Sequence, residues 1–197
     1  MTTKQKIARG TRVQSEGKKR PFTAEQGQLI RANLEAKKDV MQLALFETAL
    51  CTCLRASDLL ALTGSKVADI DWSVAHKIPV KQKKTGDVVL VRLSQRARVR
   101  IGDWVEKGKI GPAFRLFDFS RQYYGRLVKE WARMAHVDPK NYSTHSMRRT
   151  HPTHVYNQTK NVKAAQEMLG HSSIAHTGAY LGMDTEAAHH LAEEHDL

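Results

Sequence analysis

Cysteine, long apolar runs and acidic residues are scarce in this 197-residue chain, and each scarcity argues against a class of protein. Cys51 and Cys53 are the only cysteines, and two residues apart on a helix they would face different directions, so a disulfide-stapled secreted domain is not indicated. No apolar run approaches the ~20 residues of a membrane-spanning helix, and the first residues lack the apolar core of a signal peptide. We therefore expect a reduced, cytoplasmic protein without a membrane partner.

Positive charge is what the chain has in excess, with 32 Lys and Arg against 20 Asp and Glu and a formal net charge of +12. Such an excess favours a polyanionic partner, most often nucleic acid, over a protein that is basic only for solubility. The charge is dense at the start, where a nearly apolar-free stretch predicts a flexible basic tail over residues 1–21. Residues 22–197 are then expected to form the folded domain. The basic residues of the tail are Lys4, Lys6, Arg9, Arg12, Lys18, Lys19 and Arg20.

The periodicity of apolar residues predicts a mainly helical fold with one small sheet, an α+β arrangement. Thr23-Ala-Glu-Gln26 fits a capping box that begins a helix to about Ala36. A buried helix should follow to about Thr52, and then a short one at Ala56–Leu62 closed by Gly64. The rest of the chain predicts three antiparallel strands and then six helices. The strands are Val67–Asp71, Lys77–Gln82 and Val88–Leu93, and the helices are Gln95–Lys107, Ser120–His136, His145–Asn157, Val162–Leu169, Ser173–Leu181 and Thr185–Glu194.

Two short segments carry residues suited to phosphate chemistry. His145 and Arg148 are three apart, so they share a face near the start of a helix, where the dipole favours an anion. Taken alone, this spacing favours an ordinary surface His/Arg pair, because it occurs often by chance. The second segment runs from Leu169-Gly-His-Ser-Ser to Tyr180, and Tyr180 alone also fits a half-buried packing residue.

Taken together, the order and spacing of these residues resemble the catalytic domain of the tyrosine recombinase (phage integrase) family. The resemblance is carried by His145-Ser-Met-Arg-Arg149, then by Leu169-Gly-His-Ser-Ser173, and then by Thr177-Gly-Ala-Tyr180. Upstream, Leu54-Arg-Ala-Ser-Asp58 resembles the first-arginine motif of the family, and Gln82-Lys-Lys-Thr-Gly86 lies where the family has a lysine on a hairpin. The similarity covers about residues 22–183.

This resemblance implies a metal-free, cofactor-free enzyme that cuts and rejoins double-stranded DNA. Arg55 and Arg148 would clamp the scissile phosphate, and Lys84, with Lys83 as the alternative, would protonate the leaving 5′-oxygen. His145 would exchange protons with Tyr180, the nucleophile that forms a 3′-phosphotyrosyl link, and His171 would contact the phosphate or brace the tyrosine. Asp58 would orient Arg55 or cap the short helix.

Assembly on DNA also follows from the resemblance. In relatives the segment after the nucleophile docks onto a neighbouring protomer, so a helix from about residue 184 would close a homotetramer on two DNA sites. The family's separate core-binding domain is not recognised in the sequence, which suits a short form of bacterial, phage or plasmid origin and leaves room for an accessory protein. Integration, excision and inversion all remain open as outcomes.

Two residues depart from the family pattern, and other functions have to be weighed against recombination. Arg149 stands where histidine is common in the family, and Pro152 interrupts a predicted helix, at a cost of roughly 3 kcal/mol. A non-catalytic or decayed DNA-binding regulator and a type IB topoisomerase are the alternatives, and the intact motif set favours the recombinase. The ten histidines of the chain show none of the fixed spacing of a structural zinc site, so no metal ligand is assigned.

Overall fold

Side chains that accept hydrogen bonds from backbone N–H groups cap the start of most helices in the described part of the chain. In the computed structural model, which describes residues 19–68, 73–170 and 177–178, Thr23 Oγ1 accepts from the Gln26 amide at 3.2 Å. Gln26 Oε1 accepts from the Thr23 amide at 2.9 Å, so the predicted capping box is present. Further helices begin in the same way, after Asp39, Ser94, Ser120, Ser143 and Asn161.

The described elements confirm the predicted mainly helical fold with a small antiparallel sheet. Most observed bounds differ from the predicted ones by no more than two residues. The predicted helices after residue 172 fall on residues that the structure does not describe, apart from 177 and 178. In chain order the elements are α1 Ala24–Ala36, α2 Val40–Thr52, α3 Ala56–Leu59, α4 Gly64–Val67, β1 Lys77–Lys81, β2 Val88–Arg92, α5 Gln95–Gly108, α6 Arg121–Met134, a 3-10 helix Pro139–Asn141, α7 Thr144–Thr159 and α8 Val162–Leu169.

One aromatic cluster of the core joins α2 to α6. Trp131 and Phe46 are fully buried and meet edge to face, with ring centroids 5.1 Å apart. The indole N–H of Trp131 donates to Gln42 Oε1 at 2.7 Å, so its polar atom is satisfied inside the core. Beside this cluster an Arg31–Glu47 ion pair joins α1 to α2. α7, which carries two of the predicted site residues, packs against α2 and α6.

The sheet has two strands in the described part of the chain, and the prediction of three is wrong. β1 and β2 pair antiparallel from Lys77–Arg92 to Lys81–Val88. Val67, the first residue of the predicted extra strand, ends α4, and Ala68 makes only an isolated bridge to Val74. A β-branched residue has the right propensity for a strand, but here Val67 is fully buried at the end of a helical turn.

The short helix after Arg55 also ends earlier than predicted, at Leu59. The chain then extends and bonds to a distant loop, with Leu116 N donating to the Leu62 carbonyl at 2.8 Å. Gly64 begins α4 instead of closing a helix. A Cβ at Gly64 would lie 2.7 Å from the Gly111 carbonyl oxygen, so the glycine is needed for close approach of two backbones.

Pro152 does not break α7, which runs continuously from Thr144 to Thr159 with the proline ring buried. The two cysteines are both free thiols, as predicted. Within the described residues no helix is both long and apolar enough to cross a membrane.

Candidate active site

Arg148 is the most deeply held of the predicted site residues. Its side chain, on α7, is only 3% exposed. Nη1 donates to the Cys53 carbonyl and Nη2 to the Leu169 carbonyl, both at 2.6 Å. Cys53 follows α2 and Leu169 ends α8, so one guanidinium binds carbonyls at the C-terminal ends of two helices, where the dipoles favour a cation. The position of Arg148 is thus fixed by three helices at once.

Arg55 lies two residues after Cys53, at the N-cap of α3, and therefore enters the same region. Its Nη1 donates to Gln82 Oε1 at 2.6 Å. Gln82 is 2% exposed and stands directly after β1, so the base of the hairpin holds the guanidinium. Arg55 itself is only half-buried, in contrast to the buried Arg148.

The hairpin that carries Lys84 is fixed to the domain by Asp58. Asp58 is buried, and its Oδ1 accepts from the backbone amide of Lys83 at 3.0 Å. This contact differs from both predicted roles, since the carboxylate holds the turn instead of orienting Arg55 or capping α3. Gly86 has φ +80°, a conformation that lets the turn close with Gly86 N donating to the Gln82 carbonyl. Lys83 and Lys84 are both exposed at the turn, so the choice between them stays a prediction.

His145 lies in the first turn of α7, where its amide donates to the Ser143 cap at 3.2 Å. The residue reaches the surface, yet partial burial of the ring is the main cause that lowers the pKa of His145. Positive charge on the surrounding arginines lowers the pKa further, so a neutral imidazole is favoured at this position. These arginines are Arg148, Arg121, Arg55 and Arg149.

The last two predicted site residues, His171 and Tyr180, lie outside the described residues. The segment before them is held against the hairpin at Gly170, the C-cap of α8, whose φ is +60°. A Cβ at Gly170 would lie 2.8 Å from Gln82 Nε2 and 3.1 Å from Val89 Cγ1. This close approach brings the end of α8 beside the residue that holds Arg55.

Sequence reasoning did not single out Gln82, which links Arg55, the hairpin and the end of α8. A weak signal was available, because Gln82 is a polar residue that directly follows an alternating strand. Its partners are 27 and 88 residues away in sequence, and no local pattern indicates them.

As for metal ligands, no cluster of three or more His, Cys, Asp or Glu suited to an ion occurs among the described residues.

Comparison with known proteins shows the family. The model of the phage integrase family matches residues 21–187, so the chain belongs to that family. It is 27% identical over 174 residues to tyrosine recombinase XerD of Yersinia pestis, covering 83% of this chain and 56% of that protein. The chain spans about half the length of the curated relatives it matches.

Solved structures show the same fold. The crystal structure of XerA recombinase superposes with a TM-score of 0.69 at 20% identity, covering 92% of this chain and 67% of that one. The pre-cleavage complex of XerH site-specific recombinase bound to difH substrate gives a TM-score of 0.67 at 17% identity, covering 89% and 55%. The fold defined by α1–α8 and the hairpin is therefore that of tyrosine recombinases.

Proposed function

We propose that this protein is a site-specific DNA recombinase that cuts and rejoins strands through a covalent tyrosine link. The observation that carries the proposal is the arginine pair. Arg148 and Arg55 are fixed by separate hydrogen bonds in one region, with His145 on the same helix as Arg148. Two permanently charged forks converging beside a neutral imidazole suit a phosphodiester approached by a nucleophile.

The reaction follows from these groups. Arg55 and Arg148 stabilise the negative charge that builds on the non-bridging oxygens of the phosphate. Tyr180 attacks phosphorus, giving up its proton to neutral His145, and a phosphorus–oxygen bond to tyrosine forms as the bond to the 5′-oxygen breaks. Lys84 supplies a proton to that oxygen, leaving a free 5′-hydroxyl and a 3′-phosphotyrosyl link. Reversal with another 5′-hydroxyl rejoins the strand, because the phosphodiester energy is kept in the link.

Double-stranded DNA is the substrate that the charge distribution supports. Net charge +12 favours the phosphate backbone, and the XerH structure is that of a relative bound to its DNA site. In this proposal residues 22–197 form the catalytic domain and the basic tail over residues 1–21 adds phosphate contacts. A helix from about residue 184 docks onto a neighbouring protomer, which closes a tetramer for strand exchange.

Covalent trapping tests the proposal. Purified protein is incubated with a plasmid carrying the DNA that flanks its own gene, and the reaction is quenched with detergent. We expect a protein–DNA adduct that is lost in Tyr180→Phe. The adduct should be retained in Tyr156→Phe, the matched control, which removes a phenolic hydroxyl from the C-terminal part of α7. Salt-sensitive DNA binding without an adduct would instead support a non-catalytic regulator, and relaxation of supercoils without strand exchange would support a topoisomerase.

A further inference from the structure

The segment Lys19–Phe22, which we name the strap, lies across the start of α7 although it is over 100 residues away in sequence. The Arg20 amide donates to the Asn141 carbonyl at 2.9 Å, just before α7 begins. The Phe22 ring is 4% exposed and stacks on Tyr142, with ring centroids 4.4 Å apart. One end of the strap is therefore fixed to the residues that lead into the helix.

The strap is fixed a second time, farther along α7. Arg149 Nη1 donates to the Lys19 carbonyl at 2.8 Å. The Phe22 amide donates to Thr150 Oγ1 at 3.0 Å, and the same hydroxyl donates to the Ser146 carbonyl. Arg149 is 8% exposed, so its guanidinium lies away from solvent, where a carbonyl acceptor offsets part of the cost of burying the charge. The contact is thus a specific anchor on a buried charge.

These two anchors flank the part of α7 that carries the candidate catalytic groups. Tyr142 directly precedes the Ser143 cap, and Arg149 directly follows Arg148. Successive residues on a helix diverge by about 100°, so Arg148 and Arg149 leave α7 in different directions. Arg148 binds carbonyls at the ends of α2 and α8, whereas Arg149 binds the strap. The first turns of α7 are held from both sides.

We propose that Arg149 is a positioning residue that holds the strap against α7 and thereby fixes the turns carrying His145 and Arg148. The anchor itself stands on the contacts alone, and its effect on strand cutting rests on the proposed function. A displacement of about 1 Å at a reacting group is enough to cost ~10²-fold in rate, so a loose strap should slow cleavage more than it weakens DNA binding.

Two pairs of variants separate the strap from the charge of Arg149. Thr150→Val removes the acceptor for the Phe22 amide without changing charge, and Thr150→Ser restores it. Arg149→Leu removes the anchor and the charge, and Arg149→Lys keeps the charge without the fork. Arg115→Leu, at an exposed arginine on the loop between α5 and α6, serves as the charge control.

Three readouts are compared with wild type: hydrogen exchange of the Phe22 amide, NMR titration of His145, and adduct formation at saturating DNA. In Thr150→Val and Arg149→Leu we expect exchange to quicken by about tenfold, the equivalent of one lost hydrogen bond. Adduct formation should slow by about tenfold in both, with less than about a threefold change in the DNA dissociation constant of Thr150→Val. The pKa of His145 should rise in Thr150→Val, because a looser first turn of α7 relaxes the partial burial and the arginine charges that lower it, and Thr150→Ser should restore wild-type behaviour.

Unchanged exchange in Arg149→Leu would overturn the anchor. Faster exchange with unchanged His145 titration and unchanged cleavage would overturn the positioning role, leaving the strap as packing only. If wild type forms no adduct on any DNA, the proposed function fails, and exchange together with the His145 titration still decides the strap inference.

Discussion

Arg55 and Arg148 carry the same charge into the same region but are held in different ways. Arg148 is buried and donates to two backbone carbonyls, at the ends of α2 and α8. Arg55 is half-buried and donates to one side chain, Gln82. Backbone acceptors move only when the helices move, whereas a side-chain acceptor can turn away. Arg148 therefore contributes both to the folding core and to the candidate site, while Arg55 contributes mainly to the candidate site.

Replacing each arginine by lysine should produce the largest effect on strand cleavage, and the two variants should differ in stability. A single ammonium cannot reproduce the fork, so Arg148→Lys and Arg55→Lys should each slow adduct formation by about 10³-fold. Arg148→Lys should also lower the free energy of unfolding by about 1–3 kcal/mol, because buried carbonyls lose a donor. Urea unfolding checks this difference, and equal stability losses in the two variants would contradict it.

Gly170→Ala should have the next largest effect, because it disturbs the contact between the end of α8 and Gln82, the residue that holds Arg55. A residue with a Cβ at φ +60° is strained, and this Cβ would meet Gln82 Nε2 at 2.8 Å. We expect a loss of about 1–3 kcal/mol in the free energy of unfolding. Gly125→Ala is the matched control, since a Cβ there meets nothing within 4 Å on α6, and it should stabilise the protein by roughly 0.5–1 kcal/mol. Thermal unfolding of both variants gives the comparison, and the same sign in both would refute it.

The smallest expected effect is a shift in pH dependence, because Arg55 and Arg148 both lower the pKa of His145. The pKa of His145 lies below its ordinary value of 6.5, so the ring stays neutral to a lower pH than an ordinary histidine, as the proposed role of His145 as proton acceptor requires. Arg121→Gln removes one positive charge that lowers this pKa, and the acid limb of the cleavage rate should move upward in pH. Arg133→Gln, elsewhere on α6, is the control, and an equal shift there would show a nonspecific charge effect.

The same shift has a consequence for folding stability. The unfolded chain takes up a proton on His145 near the ordinary pKa, while the folded protein resists protonation until a lower pH. The contribution of His145 therefore favours folding above the ordinary pKa and weakens as pH falls through the window between the two values.

Local signals made much of the fold predictable from sequence. The Thr23 capping box, the Asn161 cap and the Gly170 C-cap each fix a helix end through neighbours within four residues. The predicted strand at Val67 was wrong because a β-branched residue matches a strand in propensity, whereas Val67 ends a buried helical turn and Ala68 makes only an isolated bridge to Val74. The propensity of a single residue does not say whether a second segment pairs with it, and a strand needs that partner.

The site shows the same division. Motif spacing indicated Arg55, His145 and Arg148, since their types and order are legible along the chain. It did not indicate that Gln82 holds Arg55 or that Asp58 holds the hairpin, because these contacts join residues 27 and 25 positions apart. Groups that do chemistry leave a pattern in sequence more readily than groups that hold them in place.

The carbonyl that accepts from Arg148 belongs to Cys53, and that thiol can report on the site. Burial raises the pKa of the Cys53 thiol to about 12 and that of Cys51 to about 11, so neither forms an appreciable thiolate at neutral pH. A thiol-reactive dye should therefore modify Cys53 only when the region around Arg148 opens. In a Cys51→Ser variant, which removes the partly exposed thiol, the labelling rate of Cys53 would measure how often this region opens, without any DNA.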